Sequence, residues 1–147
     1  MTIKKAQLAD LPDLVPLFDG YRMFYRQHSD FVGAREFLRA RIENNESEIY
    51  IVYIEENAVA FVQFYPLFSS VSMEPMLLLN DLYVEENYRG QGIGSALIDK
   101  GKELCKLKNL KGLALQTEVD NPAQKLYEAV GFKKDPDLHY FWKNITE

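Results

Sequence analysis

Three glycines at every second position form the clearest chemical feature of this chain. They lie in the segment Arg89-Gly90-Gln91-Gly92-Ile93-Gly94, which follows a short apolar stretch and precedes a pattern typical of an amphipathic helix. Glycines leave the backbone N–H groups uncovered by side chains, and the start of a helix carries a partial positive charge. The segment therefore predicts a binding site for a phosphate or pyrophosphate, with a simple structural turn as the alternative.

Two common nucleotide-binding motifs do not fit this segment. A P-loop has Lys-Ser or Lys-Thr after its last glycine, whereas Gly94 is followed by Ser95 and Ala96, and the next lysine is Lys100. The dinucleotide fingerprint has a third glycine at the position of Ser95, and it usually opens the first strand–helix unit of a domain. A nucleotide-dependent enzyme is therefore a weak alternative for this chain.

Acidic residues lie just before the glycine segment and after a later predicted strand. Asp81 belongs to the strand that leads into the segment, and Glu118 and Asp120 follow the predicted strand Gly112–Thr117. A carboxylate that faces a cleft can accept a proton from an amine, directly or through water. The alternatives are a structural acceptor at a strand bulge for Asp81 and solvated surface positions for the other two.

Aromatic residues provide candidates for the lining of a substrate pocket. The segment Tyr21–Arg26 is unusually aromatic for the end of a predicted helix, and it contains the candidates Phe24 and Tyr25. Further candidates lie in or beside predicted strands: Phe64, Tyr65, Phe68 and Tyr83. Aromatic walls suit a cationic or aliphatic amine. For most of these residues, however, a hydrophobic core or a dimer interface is the stronger interpretation.

The elements that must position these residues follow from the spacing of the apolar side chains. Helices are predicted from Asp10 to about Tyr25 and over 33–44, 92–108 and 121–130. Strands are predicted over 3–6, 48–54, 58–67, 76–84 and 112–117, with a final hairpin over 132–133 and 138–143. The order β-α-α-β-β-β-α-β-α-β-β predicts one α/β domain over residues 1–147. Its mixed sheet has about seven strands, with helices on both faces.

Composition and charge exclude several classes of function. A net charge of −5 and the absence of long basic runs argue against nucleic-acid binding. Apolar runs such as Ile51–Ile54 are too short to span a bilayer, and the first residues lack the apolar stretch of a secretory signal, so we expect a cytoplasmic protein. The single cysteine excludes an internal disulfide, and the two histidines lack a second ligand at metal spacing, so no metal is expected.

The segment from Met76 to Phe132 resembles the GNAT N-acetyltransferase superfamily. One motif is the strand ending at Val84 with the loop Arg-x-x-Gly-x-Gly after it, and the other runs from Asn121 into a helix that carries Tyr127. The run Asn80-Asp81-Leu82-Tyr83-Val84 is also distantly similar to spermidine/spermine acetyltransferases, in which acidic residues of this strand contact the substrate amine. In this chain, asparagine occupies position 80, where that subgroup can carry a second acid.

The resemblance implies that acetyl-CoA is the co-substrate and that the glycine loop binds its pyrophosphate. It also implies that backbone N–H groups of the preceding strand polarise the thioester carbonyl, and that Tyr127 protonates the departing thiolate. A core aromatic on an amphipathic helix is the alternative for Tyr127. The cofactor-binding residues implied by the resemblance are Leu82, Tyr83, Val84, Arg89, Gly90, Gln91, Gly92, Ile93, Gly94, Ser95, Asn121, Ala123 and Tyr127.

The predicted function is the transfer of an acetyl group from acetyl-CoA to a primary amine by direct attack in a ternary complex. The predicted catalytic residues are Tyr127 and Asp81, and the predicted substrate pocket contains Phe24, Tyr25, Asp81 and Glu118. A polyamine-like small molecule is slightly preferred as the acceptor over a protein lysine or N-terminus. The alternative is a non-catalytic acyl-CoA sensor. Homodimers are frequent in the family, which makes a homodimer a further expectation.

Overall fold

The computed structural model describes residues 1–145. Its strands and helices are β1 (Thr2–Lys5), α1 (Leu11–Phe24), α2 (Phe31–Glu43), β2 (Glu48–Ile54), β3 (Asn57–Ser69), β4 (Glu74–Val84), α3 (Ile93–Leu107), β5 (Leu113–Leu115) and α4 (Gln124–Ala129). The chain divides into two compact units, Met1–Gln116 and a second unit that begins at Thr117. The single domain over residues 1–147 stays a prediction, and its residues 146 and 147 lie outside the described part.

The first unit is built on one sheet with the strand order β1-β2-β3-β4-β5. Strands β1 to β4 pair antiparallel, and β5 runs parallel to β4 because the helix α3 connects these two strands. Strand β5 pairs with Leu77–Leu79, so β4 extends beyond it from Asn80 to Val84. Within residues 1–145, this second half of β4 therefore has no neighbouring strand on the β5 side.

Alternation of side chains along the central strands divides the core between the two faces of the sheet. On one face, Phe61 of β3 packs against Phe18 of α1 with ring centroids 6.0 Å apart, and Leu38 of α2 joins the same cluster. On the other face, Phe64 of β3 packs so close to Gly101 of α3 that an added Cβ would lie 2.7 Å from its ring. The predicted mixed α/β fold with helices on both faces is thus confirmed.

The predicted number of strands is wrong: residues 1–145 contain five strands in the sheet, where the sequence predicts about seven. The difference lies in the expected hairpin over 132–133 and 138–143, whose residues form neither helix nor strand. Large apolar side chains of this segment are exposed, Tyr140 by 83% and Phe141 by 81%. A tendency to form strands depends on cross-strand partners and on the burial of one face. These exposed side chains do not supply that burial, so the β-propensity of the segment alone does not produce a strand.

Candidate functional site

The glycine segment forms a loop between β4 and α3 in which backbone N–H groups are presented without side chains. Gly90 and Gly92 adopt positive φ angles of 76° and 81°, which residues with a Cβ rarely adopt. Helix α3 begins directly after Gly92, which has no side chain to cap it. The N–H groups of Ile93, Gly94 and Ser95 in the first turn have no acceptor within a helix. They are therefore donors for an anion at the positive end of α3.

Arg89 joins this loop to the end of β4. Its Nε donates a hydrogen bond to the backbone oxygen of Val84 at 2.7 Å, and its guanidinium lies 5.6 Å from the centre of the Tyr83 ring. Leu82 is half-buried on the same strand, and Gln91 is exposed in the loop. The predicted cofactor residues of β4 and the loop thus form one continuous stretch of the first unit.

Asp81 of β4 is a buried carboxylate, only 2% exposed. Its Oδ2 accepts a hydrogen bond from Gln63 Nε2 at 2.5 Å, and its Oδ1 accepts one from Asn80 Nδ2 at 2.6 Å. Burial raises the pKa of the Asp81 carboxyl above its ordinary value, and the hydrogen bonds from Asn80 and Gln63 oppose that rise. The carboxyl therefore holds a proton more strongly than an exposed aspartate does.

A bulge in β4 sets the direction of the Asp81 side chain. Gln63 of β3 pairs with Asp81 and the next residue, Phe64, pairs with Leu79, so Asn80 is the extra residue of the bulge. In a regular strand, residues 79 and 81 would share one face of the sheet. The bulge instead turns Asp81 toward the face covered by α1 and α2, while Leu79 stays on the face covered by α3.

Two residues that sequence reasoning missed complete the surroundings of Asp81. Gln63 is fully buried in β3, and its Oε1 accepts a hydrogen bond from Ser47 Oγ at 2.8 Å. Ser47 directly precedes β2 and lies diagonally opposite Gln63 in the β2–β3 ladder. The available signal was a glutamine inside the apolar run Val59–Tyr65, because a buried polar side chain needs hydrogen-bond partners.

A cavity of about 370 Å³ opens beside Asp81, between α1, α2, β3 and β4. Its walls include aromatic rings and charged side chains: Phe18, Tyr21, Phe37, Tyr65, Arg22, Asp30 and Asp81. Asp30 also caps α2, where its Oδ1 accepts a hydrogen bond from Gly33 N at 2.9 Å. Arg22 Nη1 donates to the backbone oxygen of His28 at 3.0 Å. The cavity has the size that small organic ligands occupy.

The two tyrosines of the cavity remain protonated at neutral pH. Burial and the nearby charge of Asp81 raise the pKa of Tyr21 well above its ordinary value, and the same two causes raise the pKa of Tyr65 to about 12. The Tyr21 hydroxyl donates a hydrogen bond to the backbone oxygen of Asn80 at 3.0 Å. Both tyrosines therefore contribute neutral hydroxyl groups to the cavity, and neither is a base there.

Two further predicted substrate residues of the first unit, Phe24 and Tyr25, lie outside this cavity wall. Phe24 is 48% exposed at the end of α1, and its ring centroid lies 5.2 Å from that of Tyr25. Tyr25 follows α1 directly and packs edge-on against Tyr21 with centroids 5.1 Å apart. Glu118 belongs to the second unit. Within the first unit, the structure thus brings Asp81 to the cavity, with Tyr25 in contact with one of its wall residues. The role of Glu118 stays a prediction.

The second unit carries the predicted residues of the second motif. Asn121 Oδ1 accepts a hydrogen bond from Ala123 N at 2.9 Å, and α4 follows directly. Tyr127 lies in α4, with its ring centroid 6.0 Å from that of Phe132 in an edge-on arrangement. The backbone oxygen of Glu118 accepts a hydrogen bond from Asn121 N at 3.0 Å. The turn and helix expected from the motif are therefore formed, and the role of Tyr127 stays a prediction.

Residues 1–145 are expected to hold no metal ion, and their apolar runs are short. This part of the chain contains no group of three or more His, Cys, Asp and Glu side chains that could hold a metal ion. The helices found in it are all too short or too polar to cross a membrane. The cytoplasmic location and the homodimer stay predictions.

Comparisons with known proteins place these observations in a family. The profile of the acetyltransferase (GNAT) family matches residues 14–132. The uncharacterized N-acetyltransferase YhfO of Bacillus subtilis is 42% identical over 99% of this chain and 98% of its own length. A probable acetyltransferase of Haemophilus influenzae is 31% identical over 99% of each chain. The crystal structure of a probable acetyltransferase superposes with a TM-score of 0.91 at 36% identity, covering 100% of this chain and 99% of that one.

These matches agree with the site described above. The family profile spans β4, the glycine loop and α3, and it extends through the second motif. Members of the family use acetyl-CoA as the acyl donor, and the bare N-terminus of α3 is a suitable place for its phosphates. The chain therefore belongs to the acetyltransferase (GNAT) family, and its activity is that of an N-acetyltransferase.

Proposed function

We propose that the protein transfers an acetyl group from acetyl-CoA to the primary amine of a small molecule, by direct attack of the amine in a ternary complex. The observation that carries this proposal is the cavity beside Asp81, where a buried carboxylate borders aromatic walls. The same strand, β4, continues into the anion-binding loop. One strand thus connects a place for the amine, a group that can take its proton and a place for the coenzyme.

The glycine loop has the space and the donors for the pyrophosphate of acetyl-CoA. A Cβ added at Gly90 or Gly92 would have no heavy atom within 4 Å, so the space beside both residues is open. Gly94 and Ser95 contribute N–H groups of the first turn of α3, at the positive end of the helix dipole. Acetyl-CoA bound there supplies the thioester that the amine attacks.

The second half of β4 supplies backbone donors for the thioester carbonyl. Leu82, Tyr83 and Val84 are half-buried, and they lie beyond the part of β4 that pairs with β5. Backbone N–H groups on such an edge are fixed dipoles, so they need no reorganisation when negative charge develops on an oxygen. One donor of this kind typically lowers the barrier by about 3 kcal/mol.

Asp81 is the proposed base for the acceptor amine. Its carboxylate takes a proton from the ammonium group, directly or through a water molecule, which frees the nitrogen lone pair for attack on the carbonyl carbon. Burial raises the pKa of Asp81 and so makes the carboxylate a stronger base, while Gln63 and Asn80 stabilise its charged form. A positioned base typically contributes about 10²–10⁴-fold in rate.

Tyr127 is the proposed acid for the departing thiolate, as its position in the second motif implies. The pKa of an ordinary phenol is about 10 and that of an ordinary thiol about 8.5, values near enough for proton transfer within a hydrogen bond. Tyr127 lies in the middle of α4, as the motif predicts. This assignment is supported by the motif, and kinetics of a Tyr127 variant provide its test.

The cavity favours a small cationic acceptor, a polyamine-like amine included, over a protein lysine or N-terminus. Asp81 and Asp30 supply negative charge, while Phe18 and Phe37 add apolar wall for the methylene groups of an amine. A volume of about 370 Å³ suits a molecule of limited size. Arg22 in the same wall adds donors for a hydroxyl or carboxylate on the acceptor.

Steady-state release of the CoA thiol with a panel of amines tests the proposal. The panel contains monoamines, diamines, spermidine, amino acids, and peptides with a free N-terminus or one lysine. We expect turnover on at least one small amine and weaker turnover on the peptides. Calorimetry that shows tight binding of acetyl-CoA, together with no turnover on any amine, would contradict the proposal and indicate a non-catalytic acyl-CoA-binding protein.

The variant Tyr127→Phe tests the acid on the best amine of that panel. Loss of the hydroxyl is expected to lower kcat by about 10²-fold, the lower end of the range for acid catalysis. Tyr140→Phe is the matched control, because Tyr140 is 83% exposed and lies outside the motif. Unchanged kcat in both variants would remove Tyr127 from the role of acid.

A further inference from the structure

A buried chain of hydrogen bonds leads from the end of the α2–β2 connection to Asp81. Ser47 Oγ donates to Gln63 Oε1 at 2.8 Å, and Gln63 Nε2 donates to Asp81 Oδ2 at 2.5 Å. Gln63 has no exposed surface, and its neighbours Val62 and Phe64 along β3 are equally buried. A polar side chain at such a position costs free energy unless its donors and acceptors are satisfied.

The direction of these hydrogen bonds fixes the orientation of the Gln63 amide. An ionised carboxylate only accepts hydrogen bonds, so the NH₂ end of the amide must face Asp81. The carbonyl end then faces Ser47, whose hydroxyl donates to it. Both ends of the amide are therefore matched, and the reverse orientation would place two oxygens against each other at Asp81.

The two donors on Asp81 differ in their surroundings. Asn80 belongs to the bulge, is exposed, and holds Oδ1 at 2.6 Å. Gln63 belongs to the neighbouring strand, is held at its other end, and contacts Oδ2 at 2.5 Å. A donor that is itself fixed loses little freedom when it binds a charge, so Gln63 is the more rigid partner.

We propose that Gln63, oriented by Ser47, is a positioning residue for acetyl transfer: it keeps Asp81 ionised in its buried site and fixes the carboxylate as a proton acceptor at the cavity. The inference rests on the proposed function, in which Asp81 is the base. Without the donor, burial would favour the protonated acid, which cannot take a proton from an amine. The pKa of Asp81 is raised by burial and lowered by Gln63, in agreement with this role.

Other titratable and charged groups also face Asp81 from the elements packed around it. Tyr21 of α1 and Tyr65 of β3 have pKa values raised by burial and by Asp81 itself, so both stay neutral near pH 7. Arg22 at the end of α1 and Asp30 before α2 line the same cavity. A change at position 63 leaves these groups in place, so a shift in the pH profile would report on the lost donor.

The test is the pH dependence of kcat/KM in the full-length protein, for wild type, Gln63→Met and Gln63→Glu. The acidic limb of this profile reports the base in the free enzyme. Gln63→Met keeps the length of the side chain but removes the donor, and we expect the acidic limb to move upward by about 1 pH unit. Activity lost at neutral pH is then regained at higher pH, which a folding defect would not allow.

The second variant makes the test independent of how well methionine packs. Gln63→Glu has the same shape but places a second carboxyl beside Asp81, and two adjacent carboxyls resist ionising together. Its acidic limb is expected to move further upward than that of Gln63→Met. Ser47→Ala should shift the limb in the same direction by a smaller amount, and Ser47→Thr, which keeps the hydroxyl, should restore it.

Two controls separate the possible outcomes. Gln27→Met changes an exposed glutamine outside the cavity wall and should leave the profile unchanged. The profile is also measured with a second amine of different pKa. If the acidic limb reports ionisation of the amine and not of Asp81, it shifts when the amine is changed and stays in place when Gln63 is substituted. If Asp81→Asn abolishes turnover but both Gln63 variants keep the wild-type limb, the positioning role is wrong and the proposed function stands. If Asp81→Asn retains full activity, the assignment of the base itself fails.

Discussion

Strand β4 carries two sites that are built in opposite ways. At its end, the loop offers backbone N–H groups, and Gly90 and Gly92 leave the space beside them open. In its middle, Asp81 is enclosed by side chains. Gln63 of the neighbouring strand β3 donates a hydrogen bond to Asp81, and Ser47, the residue before β2, donates one to Gln63. The loop depends on the conformation of one continuous segment. The carboxylate depends on the register of three strands.

Substitutions in the loop and at Asp81 should therefore act on different kinetic constants. In the loop, a new side chain changes backbone conformation and access, so its effect should appear in the binding of the coenzyme. At Asp81, a substitution changes proton affinity in a buried place, so its effect should appear in kcat and in pH dependence. Variants of the two sites should therefore be separable by kinetics alone.

Asp81→Asn is expected to have the largest effect. Removal of the base should lower kcat on the best amine by about 10²-fold or more, because an amide cannot take the ammonium proton. The KM for acetyl-CoA should stay near that of the wild type, since the loop is unchanged. Steady-state thiol release measures both constants, and Asp137→Asn, at an exposed position of the second unit, is the matched control. A fall in acetyl-CoA binding equal to the fall in kcat would show that the two sites are not separate.

Gly92→Ala is expected to have the next largest effect. Gly92 has a φ of 81°, and an L-residue in that left-handed region costs about 1–2 kcal/mol. We expect the KM for acetyl-CoA to rise by about 10-fold as the loop moves away from this conformation, with a smaller change in the KM for the amine. Gly112→Ala is the control, since its added Cβ also meets no atom within 4 Å and its φ lies outside the left-handed region. Equal KM values in the two variants would contradict a loop that binds through its backbone.

Features formed by one continuous segment, such as the loop, could be predicted from the sequence, whereas features that depend on several strands could not. The strand Glu48–Ile54 is found where it was predicted, and the helix predicted over 92–108 is found at Ile93–Leu107. Periodicity and glycines act over a few residues, so a local pattern suffices to predict them. The loop between β4 and α3 belongs to this class, and its residues carried the resemblance to the family.

The surroundings of Asp81, by contrast, could not be predicted from a local sequence pattern. The partnership of Gln63 with Asp81 depends on the pairing of β3 with β4 and on the bulge at Asn80. One residue of register decides which face a side chain occupies, and no local pattern contains that information. The segment over 138–143 shows the converse, because its aromatic residues favour a strand whose packing the structure does not supply.

Gly101→Ala is expected to reduce stability without changing the proton affinity of Asp81, because Gly101 packs on the opposite face of the sheet. An added Cβ would lie 2.7 Å from Phe64 Cε1 and 2.9 Å from Leu113 Cδ2, which is too close without movement of the core. We expect a loss of about 1–3 kcal/mol in the free energy of unfolding, measured by urea denaturation. The acidic limb of kcat/KM should stay in place, because Asp81 lies on the other face. A shifted limb in this variant would mean that strain in the core reaches the carboxylate.

The smallest expected effect is the dependence of stability on the ionisation of Asp81. Burial raises the pKa of this carboxyl above its ordinary value of 3.8, so the folded chain keeps the proton to a higher pH than the unfolded chain does. Between these two pKa values unfolding releases a proton, and the free energy of unfolding falls as pH rises. Above the pKa that Asp81 has in the folded chain, its contribution to the free energy of unfolding no longer changes with pH.

Urea denaturation of wild type and Asp81→Asn over a series of pH values isolates this contribution. The difference in unfolding free energy, wild type minus variant, should fall as pH rises through that window and then become flat. All other groups titrate in both proteins, so their contributions cancel in the difference. A difference that rises with pH would mean that Gln63 and Asn80 lower the pKa of Asp81 more than burial raises it. In that case the network would be a stabilising structural element, and Asp81 would be a weaker base than an exposed aspartate.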